Sequence, residues 1–235
     1  MKVVYWSDYA CPFCYIGEIY LKKAIAEIGA DDQVEIEMKA FELNPDAPKE
    51  YVGDTITRFA HKYGLSQEAA AARVESISQM GREAGLDFRY AETRSTNTYD
   101  GHRLTKLAKE KGGNELANQL AEKLYKAYFS DSLELANHDV LRRFAAEIGL
   151  DENDVNGVLS SDKYGDDVKN EEWEAHANRI TAVPFFLVND EVGIPGALPV
   201  ENMKAVLAEA LEKEEKRKKE AELPTMSCGP DGCRF

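Results

Sequence analysis

Val3-Val4-Tyr5-Trp6-Ser7-Asp8-Tyr9-Ala10-Cys11-Pro12-Phe13-Cys14 is the stretch whose reading decides the fold. Residues 3–7 read as a buried strand, because the run is short, apolar and rich in β-branched and aromatic side chains. A helical pattern follows from about Pro12 to Ile28, with Ile16, Ile19, Tyr20, Ala24 and Ile28 at helical spacing and Gly29 closing it. Two thiols separated by two residues therefore sit at a strand-to-helix junction. Cys11 is expected at the helix cap and Pro12 at the first helical position, where the missing N–H of proline costs nothing. The positive end of the helix dipole favours a thiolate at that point. The thiolate is the nucleophile, and such sites move a cysteine from about 8.5 into a range of roughly 3.5 to 7.5. Cys14, one turn further in, is expected to be more buried and less acidic. Cys11 thus reads as the attacking and leaving thiol, and Cys14 as the resolving one. The same spacing also serves as half of a structural zinc site. Completing that site takes a second CxxC or paired histidines, and neither lies nearby in sequence.

The composition fits one globular domain or one domain carrying an insertion: 235 residues, 43% hydrophobic and 31% charged. A net charge of -14 repels phosphates, so nucleic acid is not an expected partner. No stretch of about 18 apolar residues marks a membrane span. Met1-Lys2 leads straight into the strand pattern with no apolar leader core, so a cytoplasmic protein is expected. That compartment keeps thiols reduced. The four cysteines form two close pairs, Cys11/Cys14 and Cys228/Cys233, which suits redox work or metal rather than stapling.

Further along, Val34, Ile36 and Met38 alternate with Glu35, Glu37 and Lys39, the period of a half-exposed strand. Asn44-Pro45 marks a turn. From about residue 50 to 165 only helical patterns occur. Ser66 caps one running to about Gly85, and segments near 97–111, 114–129 and 138–149 follow, suggesting an all-helical insertion of five or six helices. A helix over about 162–178 precedes Ile180–Val188, which reads as a second buried strand. Asn189-Asp190 turns into a short antiparallel partner at Val192–Ile194. The last helix carries Val200, Met203, Val206, Leu207, Ala210 and Leu211 as its apolar stripe. Glu212 to Glu222 is charged on all sides. The expected division is 1–48 with 162–212 as one discontinuous α/β domain, 49–161 as the helical insertion, and 213–235 as a charged extension with a cysteine-bearing tail.

Pro184 stands at the front of a strong strand pattern. Proline is tolerated at the first residue of a strand, and a cis peptide after Val183 is the alternative, found in about 5 to 6% of X-Pro bonds. The order strand, CxxC helix, strand, helical insert, helix, Val-Pro strand, strand, helix resembles the thioredoxin-like fold with an inserted helical domain. The chain resembles the DsbA-like thiol oxidoreductases, and within them the FrnE-like branch. The matching stretches are Ser7–Cys14, Phe41-Glu42-Leu43-Asn44-Pro45-Asp46, Asn97–Leu104, Ile180–Phe186 and Gly196–Glu201. The resemblance implies that Pro184 is a cis proline packed opposite Cys11 and that the Val183 backbone can pair with a bound peptide. Pro184 offers no thiol or N–H to compete for Cys11. Pro12, Phe13 and His102 are the remaining substrate-side candidates. Against this, a lone histidine in a helix is commonly a packed or surface residue. Trp6 and Phe13 suggest an apolar rim, with Trp6 equally suited to the core.

The turn chemistry of Gly229-Pro230-Asp231-Gly232 brings Cys228 and Cys233 together. Similar tail motifs occur in FrnE-like proteins. Three readings stand: an inert tail, a metal clip, and an auxiliary redox pair exchanging with Cys11/Cys14. The expected function is thiol–disulfide exchange on protein disulfides or small thiols. No resident metal or organic cofactor is expected, and glutathione is a candidate co-substrate. The alternatives are a glutathione-dependent isomerase or transferase of the 2-hydroxychromene-2-carboxylate isomerase or kappa type, and a redox-switched holdase chaperone. The isomerase and transferase types typically carry serine where Cys11 stands.

Overall fold

The computed structural model describes residues 1–221 and the backbone of 227–229 and 232–234. Strands β1 (Lys2–Ser7) and β2 (Glu35–Ala40) pair in parallel, with Tyr5 opposite Met38. Parallel neighbours cannot be joined by a hairpin, so helix α1 (Pro12–Glu27) makes the crossover. β3 (Phe185–Val188) lies antiparallel on the other side of β1, with Phe186 opposite Tyr5, and β4 (Val192–Pro195) pairs antiparallel with β3. The turn between them uses Asn189 and Asp190 at φ 49° and 56°, the left-handed conformations a tight hairpin requires. The sheet order is β2-β1-β3-β4. This is a thioredoxin-like α/β fold.

β1 is the central strand, and every residue from Val3 to Ser7 is buried. Its two faces serve different layers. Val3 and Tyr5 enter the main core, which runs through α1 and the helical segment. Val4 and Trp6 enter a smaller cluster with Phe41, Ala175 and Ile180. Trp6 is therefore core and not rim: it is 1% exposed, and its indole N–H donates to the Glu171 carbonyl at 3.0 Å.

Between β2 and β3 come α2 (Thr55–Tyr63), α3 (Gln67–Glu83), α4 (Tyr99–Phe129), α5 (His138–Glu147), α6 (Glu152–Leu159) and α7 (Gly165–Ala177). Ser66 caps α3 by accepting the Ala69 amide, and Asp54 and Asp151 cap α2 and α6 in the same way. α4 is interrupted at Gly112 and Gly113, where φ reaches 69°, so the two expected segments meet end to end. α7 packs on β2, and α8 (Val200–Ala221) packs on α1.

Two sequence expectations change. Ile180–Val188 is a strand only from Phe185. Arg179 sits at φ 61° and the Ile180 amide returns to the Ala175 carbonyl at 2.8 Å, closing α7. Ile180 is apolar because it is buried, not because it lies in a sheet. Glu37, which the alternation put outside, is 6% exposed. Burial pushes its carboxyl up, but hydrogen bonds from Lys109 and Lys2 outweigh burial and hold it at about 2.

The side chains of Cys228 and Cys233 lie outside the described residues. The backbone strands β5 (Ser227–Gly229) and β6 (Gly232–Arg234) pair antiparallel, with Cys228 opposite Cys233.

Candidate active site

Cys11 is the N-cap of α1, with extended backbone (φ -90°, ψ 113°) and Pro12 in the first turn. Its carbonyl accepts the Cys14 amide at 3.1 Å and the Tyr15 amide at 3.5 Å. The sulfur stands at the positive end of α1 but accepts no backbone amide there. Cys14 lies one turn in and is fully buried, against 3% exposure for Cys11. Burial pushes the Cys14 thiol well up, and the neighbouring Cys11 thiol adds to that. The Ser7 hydroxyl and the Asp8 backbone act in the opposite direction. The same Ser7 hydroxyl is hydrogen-bonded to the Tyr125 hydroxyl.

The Val183–Pro184 peptide is cis. The Cys11 thiol donates to the Val183 carbonyl at 3.5 Å, so the turn before β3 faces the CxxC helix. Gly17 makes this approach possible: a Cβ there would lie 3.2 Å from both Pro184 Cγ and Phe186 Cζ. The structure therefore brings Cys11, Cys14, Val183 and Pro184 together. Of the expected substrate-side residues, Phe13 is 36% exposed and Val183 is half-buried. Pro12 is buried, so it starts the helix and offers no surface.

His102 does not reach the surface. It is 1% exposed, its ring lies 4.7 Å from that of Tyr9, and its Nε2 is 3.7 Å from Asp8 Oδ1. Any influence it has on Cys11 passes through Asp8, a clamp that pattern reasoning missed. Asp8 Oδ1 accepts the Ala10 amide at 3.1 Å and the Thr98 hydroxyl at 2.9 Å, while Oδ2 accepts the Leu43 amide at 2.6 Å. One buried carboxylate so ties the Cys11 turn to the loop after β2 and to the start of α4. Its three donors satisfy it, as a buried charge requires. An aspartate two residues before a turn amide is an Asx-turn signal, which was legible in Asp8-Tyr9-Ala10.

Glu42 was missed as well. Its amide donates to Glu172 Oε1 at 2.8 Å, and its Oε2 takes a 3.4 Å contact from Asn97 Nδ2. Burial, helped by the Glu172 and Asp8 carboxylates, outweighs the opposing influence of the nearby His102 and of Asn97 and raises it to about 7. Among the described residues no three His, Cys, Asp or Glu side chains are arranged to hold a metal ion. A cavity of about 860 Å³ opens at the far end of β1, lined by Met1, Lys2, Glu35, Asn114 and Glu214, and it includes none of the thiol-site residues. No helix among the described residues is long and apolar enough to cross a membrane.

The description of the DsbA-like thioredoxin domain family matches residues 2–208. The chain belongs to that family. An uncharacterized Bacillus subtilis protein, YwbO, is 29% identical over 220 residues, covering 91% of this DsbA-like chain and 96% of the relative. The crystal structure of a probable DsbA oxidoreductase from Streptomyces coelicolor superimposes with a TM-score of 0.84 at 34% identity, over 100% of this chain and 99% of that one. A 2-hydroxychromene-2-carboxylate isomerase shares the fold at 14% identity and a TM-score of 0.67, over 94% of this chain and 100% of the other.

Proposed function

We propose that this DsbA-like protein exchanges disulfides through Cys11 and Cys14. The observation that carries the reading is Cys11 at the cap of α1, 3.5 Å from the Val183 carbonyl, with Cys14 buried one turn behind it. The Cys11 thiolate attacks one sulfur of a substrate disulfide. A Cys11–substrate disulfide forms, the substrate S–S bond breaks, and the released thiolate takes a proton from solvent. Cys14 then gives up its proton and attacks Cys11 Sγ. The second substrate sulfur leaves as a thiol, and Cys11–Cys14 is left oxidised. Two electrons have passed to the substrate, and two molecules of an external thiol such as glutathione, leaving as their disulfide, would restore the dithiol. Run backwards, the same steps oxidise a substrate dithiol. The Val183 backbone pairs with a bound peptide, Pro184 packs beside it opposite Cys11, and Phe13 supplies the apolar contact. The reading includes a cytoplasmic setting and a FrnE-like auxiliary role for Cys228 and Cys233, supported by two close cysteine pairs in a chain with no other cysteine.

Insulin-disulfide reduction tests it. Wild type should turn over and Cys11→Ala should not; equal rates would overturn the proposal. Cys14→Ser should accumulate a mixed disulfide through Cys11. If that variant never links Cys11 to Cys228 or Cys233, the auxiliary exchange is wrong.

A further inference from the structure

Cys14 is the half of the thiol pair that the fold hides. Its side chain is fully buried, yet the resolving step turns it into a thiolate. A buried charge is stable only where donors meet it. Three hydroxyls and one amide are gathered around it. Ser7, the last residue of β1, is fully buried, and its hydroxyl and the Asp8 amide both hydrogen-bond to the Cys14 sulfur. The Cys11 amide donates to the Asp8 carbonyl at 3.0 Å and so fixes the turn that brings them there. Tyr125 of α4 is fully buried as well. Its ring stacks on that of Tyr15, the residue after Cys14, with centroids 5.1 Å apart, and its hydroxyl meets Ser7. The Tyr5 hydroxyl, also fully buried, has no hydrogen-bond partner. A charge on Cys14 bears on both phenols.

The count of protons gives this chain of groups a direction. A hydroxyl carries one proton and accepts through its lone pairs. Among the described residues Ser7 is the one hydrogen-bond partner of the Tyr125 hydroxyl. If Ser7 donated to Tyr125, the phenol proton would be left unpaired in the core and Cys14 would lose a donor. With Tyr125 donating to Ser7 and Ser7 donating to Cys14, both protons are used. We propose that Ser7 is a catalytic residue of the resolving step, its hydroxyl donating to the Cys14 sulfur as that sulfur becomes a thiolate, and that Tyr125 is the positioning residue that aims it. This rests on the thiol-exchange reading and deepens it.

In that step Cys14 Sγ loses its proton, and its electron pair forms the bond to Cys11 Sγ. The bond between Cys11 Sγ and the substrate sulfur breaks, its pair stays on the substrate sulfur, and that sulfur takes up a proton from solvent. Negative charge sits on Cys14 just before attack, and the Ser7 donor acts at that moment. β1 and α4 already hold the donor in place, so no reorganisation is needed when the charge appears. The unpaired Tyr5 hydroxyl is a second donor on the same side. Capture of substrate by Cys11 makes no use of Ser7. The two halves of the exchange therefore depend on different groups.

The test uses the full-length chain carrying Cys228→Ser and Cys233→Ser, which leaves Cys11 and Cys14 as its only thiols. The reduced protein is mixed with dithiobis-nitrobenzoate, an aromatic disulfide whose thiolate is coloured. One thiolate is released when Cys11 captures the reagent, and a second when Cys14 resolves the mixed disulfide. In Ser7→Ala the second phase should slow by about tenfold, the loss of one hydrogen bond to a charged sulfur, while the first phase keeps its rate. Ser7→Thr, which keeps the hydroxyl, should recover most of the loss. Tyr125→Phe keeps the ring stack and removes one oxygen; it should also slow the second phase alone, and it gives the reading if Ser7→Ala does not fold. The ratio of the two rates is what a merely structural role would not move. A ratio unchanged by Ser7→Ala overturns the role of Ser7, and one unchanged by Tyr125→Phe overturns that of Tyr125. Equal slowing of both phases overturns both roles. Release of a single thiolate by the parent protein overturns the thiol-exchange reading itself, so the failures are distinguishable.

Discussion

Replacing Asp8 by asparagine should destabilise the fold and slow Cys11 together, because one carboxylate holds the turn that carries the nucleophile. Asp8 Oδ1 accepts two donors and Oδ2 a third. Asparagine keeps one oxygen and exchanges the other for an NH2. If the oxygen stays toward Ala10 and Thr98, the new NH2 faces the Leu43 N–H, and two donors confront each other. The flipped amide moves the same conflict to Ala10. One backbone N–H is left unsatisfied in a partly buried place, at about 1–3 kcal/mol. The two remaining bonds lose their charge assistance, about another 1 kcal/mol. The expected loss is therefore about 2–4 kcal/mol. Asp8→Ala should cost more, since all three donors lose their acceptor, and Thr98→Val only about 1 kcal/mol, since one bond goes. Urea denaturation reads the series, with an unchanged m-value showing that the native state is otherwise intact. Capture of a substrate disulfide by Cys11 should slow in the same order, because a loosened turn misplaces the sulfur against Val183. The reasoning is refuted if Asp8→Asn changes stability by less than about 0.5 kcal/mol, or if Thr98→Val proves the costlier change.

Two further perturbations follow from packing and charge. Glu37 ionises at about 2 in the fold because Lys109 and Lys2 outweigh burial, whereas an unfolded glutamate ionises near 4.3. A folded value below the unfolded one gives stability that is present above about pH 5 and lost as pH falls toward 2. Glu37→Gln should accordingly cost on the order of 2 kcal/mol at pH 7, with the gap to wild type closing in acid; a gap independent of pH would count against the ion pairs. Gly17→Ala places a Cβ 3.2 Å from Pro184 Cγ and Phe186 Cζ. The better helix propensity of alanine offsets about 0.5–1 kcal/mol of that crowding, so stability should move little while disulfide turnover falls several-fold as Pro184 is pushed off Cys11. Gly17→Val should be worse on both measures, and full turnover by that variant would show that the close approach of α1 to Pro184 does not matter.

What the sequence disclosed, and what it hid, divides along the length scale of the interactions. The CxxC helix, the Ser66 cap and the Asn189-Asp190 turn are local devices. Each is fixed by residues within one or two turns of one another, so pattern and spacing reveal them. The α4 break at Gly112 and Gly113 belongs to the same class. Ile180 misled because an apolar run records burial, and burial under α7 looks the same in sequence as burial in a sheet. Glu37 misled because alternation assigns a side to a residue but says nothing of the lysines that fold over it, one from the start of the chain and one from α4. The surroundings of Cys11 were the least legible part. The Asp8 contact to Leu43 spans 35 residues, that to Thr98 spans 90, and Glu42 meets Glu172 across 130. Those separations are set by the crossover of α1 and by the return of the chain through α4 and α7, not by any repeat or motif. A nucleophile can therefore be read from one helix end, whereas its surroundings are assembled by topology. That is why His102, singled out from its motif as a substrate contact, turns out to sit behind Asp8, and why Glu42, a quiet member of another motif, turns out to meet Glu172 of α7.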